Sequence, residues 1–178
     1  MMMDNNDILI RVRYALDIKN NDMVEMFKLG GVDVTKDDVL KILTKSKDKD
    51  DYDYDEDAGA DVENEDHIRC DNFMLESFLN GFITFNRGQQ DPKPGQPQRP
   101  EMTIKNHANV NNVVLKKLKI ALALTSEDIQ DILAEAGVSI TKSELGALLR
   151  KEGHKNYKEC GDKYARNFLK GLAIRYRN

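Results

Sequence analysis

Residues 112–151 read NVVLKKLKIALALTSEDIQDILAEAGVSITKSELGALLRK, and residues 6–45 read NDILIRVRYALDIKNNDMVEMFKLGGVDVTKDDVLKILTK. A constant shift of 106 lays one stretch on the other without a gap, superposing Asn6, Leu9, Ala15, Leu16, Asp22, Gly31, Val32, Thr35, Lys36, Leu43 and Lys45 on identical residues. The match resumes at a shift of 90, where Cys70, Phe78, Leu79, Gly81 and Arg87 meet Cys160, Phe168, Leu169, Gly171 and Arg177. Self-similarity at a fixed offset means that one supersecondary unit occurs twice. The chain is therefore expected to be all-α, two tandem repeats of about four helices each: residues 1–88, then residues 106–178, with a linker over 89–105.

Within each copy the apolar spacing is helical. Ile8, Leu9, Val12, Ala15 and Leu16, or Val114, Leu115, Leu118, Ala121 and Leu122, form the stripe of a first amphipathic helix. A second helix starts at Asn20 or at Thr125-Ser126 and turns Met23, Met26 and Phe27, or Ile129, Ile132 and Leu133, inward. Gly31 and Gly137 follow it, at a place that favours a left-handed residue. Thr35 to Asp38 and Thr141 to Glu144 have the spacing of capping boxes and open a third helix carrying Val39, Ile42 and Leu43, or Leu145, Leu148 and Leu149. The fourth helix begins near Asp71 or Gly161 and carries Leu75, Phe78, Leu79 and Phe82, or Ala165, Phe168, Leu169, Leu172 and Tyr176. A glycine in each fourth helix, Gly81 and Gly171, costs about 1 kcal/mol relative to alanine, so its use in both copies predicts that another backbone passes close by.

The copies differ most between their third and fourth helices. The first uses an acidic insertion over 46–69, 16 residues longer than its counterpart by the difference of the two shifts. Such a run cannot bury enough apolar area to offset its ordering entropy and is expected to be a mobile loop. All four prolines lie in the linker, which predicts an extended spacer of polyproline character. The overall charge of −4 conceals an asymmetry: residues 106–178 hold 13 Lys and Arg against 8 Asp and Glu, while residues 46–72 hold 3 against 12. At 40% apolar and 33% charged, with no apolar run near bilayer length and no signal-like start, the chain reads as cytoplasmic and not as a membrane protein.

Asn111-Asn112, the 115–122 helix, Gly137-Val138 with Ile140-Thr141, Tyr157-Lys158-Glu159-Cys160, Phe168 to Leu172 and Arg175-Tyr176-Arg177 together resemble the YehS family of duplicated, uncharacterised bacterial proteins. The resemblance covers both copies but neither the acidic insertion nor the linker, and the first copy departs from it with His67-Ile68-Arg69-Cys70 where the pattern has Tyr-x-x-Cys. It implies a small cytosolic helical protein and no activity that can be carried to a residue.

Catalysis finds little support. His67, His107 and His154 fall at non-equivalent positions, and no phosphate loop, HExxH or nucleophile elbow occurs, so no catalytic residue, cofactor or metal is assigned and a non-enzymatic role is expected. Asp53, Asp55, Asp57 and Asp61 approach a calcium-loop spacing, but Ala58 replaces the loop glycine and Asn64 the bidentate glutamate. Cys70 and Cys160 start the fourth helices, where amide donors and the helix dipole could stabilise a thiolate, but a small buried apolar side chain is the favoured reading.

The remaining signal is charge. On a helical wheel Lys163, Arg166, Lys170 and Arg177 fall within about 60° of one another, opposite Phe168, Leu169 and Leu172, and Lys116, Lys117 and Lys119 add to them from the first helix of that copy. The leading expectation is a binding module that engages RNA or another polyanion through its basic second repeat. The alternative is a protein–protein adaptor that takes a partner helix in an apolar groove between the repeats.

Overall fold

The computed structural model describes residues 3–44, 67–88, 102–104 and 107–177. The acidic run and most of the linker, with the calcium-like aspartates, lie outside the described residues. Among the described residues eight α-helices follow in order: α1 (Asn5–Leu16), α2 (Asn20–Leu29), α3 (Lys36–Ile42) and α4 (Asn72–Arg87) in the first repeat, then α5 (Val110–Ala121), α6 (Ser126–Glu135), α7 (Lys142–Leu149) and α8 (Asp162–Arg177) in the second. Among the described residues there is no strand.

The helices start and stop where local chemistry directs. Thr35 accepts from the Asp38 amide while Asp38 reaches back to the Thr35 amide, and Thr141 with Glu144 does the same. Gly31 and Gly137 take φ of 97° and 88°, as a left-handed stop requires. One boundary differs from expectation. The N-cap of α2 is Lys19, with no side-chain cap, because the Asn20 side chain turns to accept from Arg13, whereas Thr125 makes a full capping box.

Buried positions repeat with the alignment. Leu9, Val12, Met26, Phe27, Val39, Ile42, Phe78 and Leu79 correspond to Leu115, Leu118, Ile132, Leu133, Leu145, Leu148, Phe168 and Leu169, and all are buried in one continuous core. Tyr176, expected inward, is instead 43% exposed at the end of α8. In each repeat the fourth helix packs chiefly on the second, and across the repeats α4 packs on α5 and α8 on α1. These two cross-repeat seams are equivalent under the internal alignment, so the repeats are related by a pseudo-twofold and merge into one body.

The glycine inference holds. A Cβ on Gly81 would overlap the Met26 carbonyl, and one on Gly171 the Ile132 carbonyl, which is the equivalent atom. Gly171→Ala should therefore push α8 off α6 and lower stability by about 1 to 3 kcal/mol. Gly146→Ala, facing open space inside α7, should raise it by about 0.5 to 1 kcal/mol. Urea unfolding of the two variants distinguishes a helix-packing glycine from an incidental one, and equal effects would refute the distinction.

Each repeat is also closed by an asparagine. The buried Asn6 amide donates to the Ile42 and Ile68 carbonyls at 2.7 and 2.9 Å, and its oxygen accepts from the Cys70 amide at 2.9 Å. Asn112 makes the same three bonds, to Leu148 and Lys158 at 3.0 and 2.8 Å and from Cys160 at 2.8 Å. The side chain ties the first helix to the end of the third and to the entry of the fourth.

Candidate binding face between the repeats

The two seams share a backbone plan and differ in chemistry. In the α4–α5 seam Glu76, Asn80 and Lys117 are all buried, at 1%, 5% and 8% exposure. The Lys117 Nζ lies 3.2 Å from Glu76 Oε2 and also donates to the Asn80 side-chain oxygen. The end of the linker covers the group: the Glu76 carboxylate accepts from the Thr103 amide (2.6 Å), the Thr103 hydroxyl (2.7 Å) and the Ile104 amide (2.7 Å). Residues 102–104 are thus bound to the body and are not part of a free spacer.

Burial alone would raise the Glu76 pKa, but the Ile104 and Thr103 hydrogen bonds and the Lys117 charge outweigh it and hold the carboxyl below its ordinary value. For Lys117 the balance is opposite. Loss of hydration outweighs the attraction of Glu76, and the ammonium pKa falls.

In the α1–α8 seam the equivalents of Glu76, Asn80 and Lys117 are Arg166, Lys170 and Arg11. All three are exposed cations, and none makes an ion pair or side-chain hydrogen bond among the described residues. Beside them runs an open groove of about 310 Å³ lined by Ile10, Arg11, Tyr14, Leu169, Lys170 and Ala173. An acid buried in one seam has become a cation at the surface of the other.

The basic stripe expected on α8 is only partly free. Lys163, Arg166 and Lys170 are exposed along one face of the helix. Arg177 is not available in the way expected: it donates to the Tyr14 carbonyl (2.9 Å), sits 3.5 Å from Asp17 and covers the Tyr14 ring at 4.2 Å. Its counterpart Arg87 donates to the Ile120 carbonyl, the equivalent atom, so both arginines cap the first helix of the opposite repeat. Lys117 is corrected too, from a surface cation to the buried partner of Glu76. Lys119 is half-buried, and Lys116 faces a separate cavity of about 160 Å³ with Arg150, Lys151 and Tyr157. Arg11, which completes the cationic seam, was not singled out in the sequence.

The family whose profile matches residues 5–88 and 111–178 is described as "Protein of unknown function (DUF1456)". The chain belongs to the DUF1456 family. The two matched stretches of the DUF1456 profile follow the two repeats and leave out the linker, as the resemblance read from the sequence implied, but the first runs through residues 46–69, which that resemblance had left out. The chain is similar to the uncharacterized protein YehS of Escherichia coli K12, 39% identical over 171 residues that cover 96% of this chain and 95% of that one. No solved structure matches.

The other candidate groups of this DUF1456 chain are structural in their surroundings. Cys70 and Cys160 are each 2% exposed, and burial, with help from nearby acids, pushes both thiols up to about 12, the reverse of a reactive thiolate. His67 Nδ1 lies 3.0 Å from the Thr44 carbonyl, and His154 Nδ1 accepts from the Asn156 amide. Among the described residues no three of His, Cys, Asp and Glu are grouped to hold a metal ion, and no helix is long and apolar enough to cross a membrane.

Proposed function

We propose that the protein is a non-enzymatic binding module that holds an anionic polymer against its α1–α8 face. The observation that carries this is the set Arg11, Lys163, Arg166 and Lys170, exposed and without an acidic partner among the described residues, in a chain whose net charge is −4. Cations left unpaired at a seam between two packed helices interact favourably with any polymer that supplies phosphates or carboxylates, and release counterions as they do so. Lys116, Lys117 and Lys119 lie on α5 away from this face, and Arg177 at its edge is already engaged by Tyr14 and Asp17.

The test is the affinity for two anionic polymers, oligo(U) and polyglutamate, measured as salt rises from about 50 to about 200 mM. At least one should bind, with a slope of log affinity against log salt of roughly 2 to 3 for three to four neutralised charges. The triple variant K163E/R166E/K170E should weaken that binding at least about tenfold. Binding that ignores the triple variant places the anion site elsewhere and rejects the proposal.

A further inference from the structure

We propose that the α1–α8 seam is the docking site of an extended acidic peptide from another protein, one carrying an apolar residue beside its acids. This rests on the anion-binding reading of the same face. The internal symmetry supplies the template. The equivalent seam already holds a short non-helical segment, Met102 to Ile104, in which the successive amides of Thr103 and Ile104 donate to Glu76 while Ile104 packs against the core. With Arg166 in place of Glu76, Lys170 in place of Asn80 and Arg11 in place of Lys117, the body offers donors where it formerly offered an acceptor. A segment lying in the open seam must then bring carboxylates.

The spacing suits such a chain. Arg166 and Lys170 stand one helical turn apart, about 6 Å along α8. Alternate residues of an extended strand repeat at about 6.6 Å on one face, so acids at every second position can meet both cations. The floor beyond them, Ile10, Leu169 and Ala173, is apolar and receives the next side chain on that face. RNA fits less well, because base recognition on a single strand uses free aromatic faces. The ring lining this groove, Tyr14, is exposed but has Arg177 stacked on one face, which leaves it a single face for a base.

A labelled peptide of sequence Ser-Glu-Ser-Glu-Ser-Ile-Ser serves as probe, with the isoleucine-to-serine peptide and oligo(U) as comparators. The probe should bind the full chain and shift the methyl resonances of Ile10 and Leu169. The serine peptide should bind about tenfold more weakly, and R166E/K170E should abolish binding. Ala173→Trp, which fills the groove without changing charge, should lose the probe while keeping its unfolding midpoint; the methyl shifts of the wild type decide the matter if that variant does not fold. Oligo(U) binding without peptide binding overturns the peptide assignment and leaves the anion-binding reading standing. So do methyl shifts confined to other parts of the molecule. Probe binding that appears only after deletion of residues 47–66 assigns the seam to the chain's own acidic stretch and overturns the partner. Failure of every anion to bind removes both readings together.

Discussion

Asn112→Ala should destabilise the protein by about 3 to 5 kcal/mol, enough to threaten a fold whose total stability is of the order of 5 to 15 kcal/mol. The substitution deletes an amide that serves two carbonyls and one N–H at once, and the three groups belong to different elements: Leu148 at the end of α7, Lys158 in the following loop and Cys160 before α8. Each group left without a partner costs about 1 to 3 kcal/mol, with the lower figure for Lys158, whose carbonyl is only partly buried. Asn112→Asp should be no milder at neutral pH. It keeps an acceptor for Cys160, loses both donors and buries a charge against two carbonyls. Asn6→Ala should behave alike, because its three bonds are the same. Urea unfolding with α8 as the reporter checks this, and a loss below about 1 kcal/mol in both repeats would show that water substitutes for the amide.

Lys117→Met should cost about 3 to 5 kcal/mol, since it leaves the buried Glu76 carboxylate without its counter-charge, held only by the Thr103 and Ile104 donors. Following it with Glu76→Gln should return part of the loss, as the buried charge is then gone and the amide oxygen still accepts from Thr103, although its NH2 now faces the Ile104 N–H. A double-mutant cycle in which the two effects simply add would refute a coupled pair. The pH dependence has a definite sign. The folded pKa of Glu76 lies below its ordinary 4.5, so the stability it contributes is complete above that value and is lost as pH falls through the folded pKa. Wild type should therefore weaken in acid below about pH 4.5, and Glu76→Gln should flatten that limb.

How much of this was readable beforehand depended on how far apart the interacting groups lie in the chain. The capping boxes at Thr35 and Thr141 involve residues three apart, and the stop at Gly31 is a property of one residue, so local sequence suffices. Gly81 and Gly171 announced a close backbone contact because a costly residue occurred twice, although nothing local says that the neighbour is Met26 or Ile132. The ion pair was hidden for the opposite reason. Its members stand on different helices in different repeats, and a helical wheel of α5 alone puts Lys117 among its lysines without showing what lies across the seam. Arg177 misled in the same way, since the wheel places it with Lys163 while the side chain reaches back to α1. A usable signal did exist: Arg87 and Arg177 match in the alignment, whereas Lys163, Arg166 and Lys170 replace Phe73, Glu76 and Asn80. Arg87 and Arg177, matched in both copies, each hold the first helix of the opposite repeat, whereas Lys163, Arg166 and Lys170, peculiar to the second copy, stand free. Asn6 and Asn112 carried the same clue, a polar side chain kept twice beside apolar neighbours.

The pairing of α4 with α5 and of α8 with α1 is the arrangement of a homodimer, except that one polypeptide supplies both halves. In a true homodimer every substitution is made twice, so a carboxylate sealed inside one contact would have to be sealed inside its mate. Covalent fusion lifts that restriction. One contact was free to become a permanent lock while its twin turned outward and positive, a division of labour that two identical subunits could not have evolved.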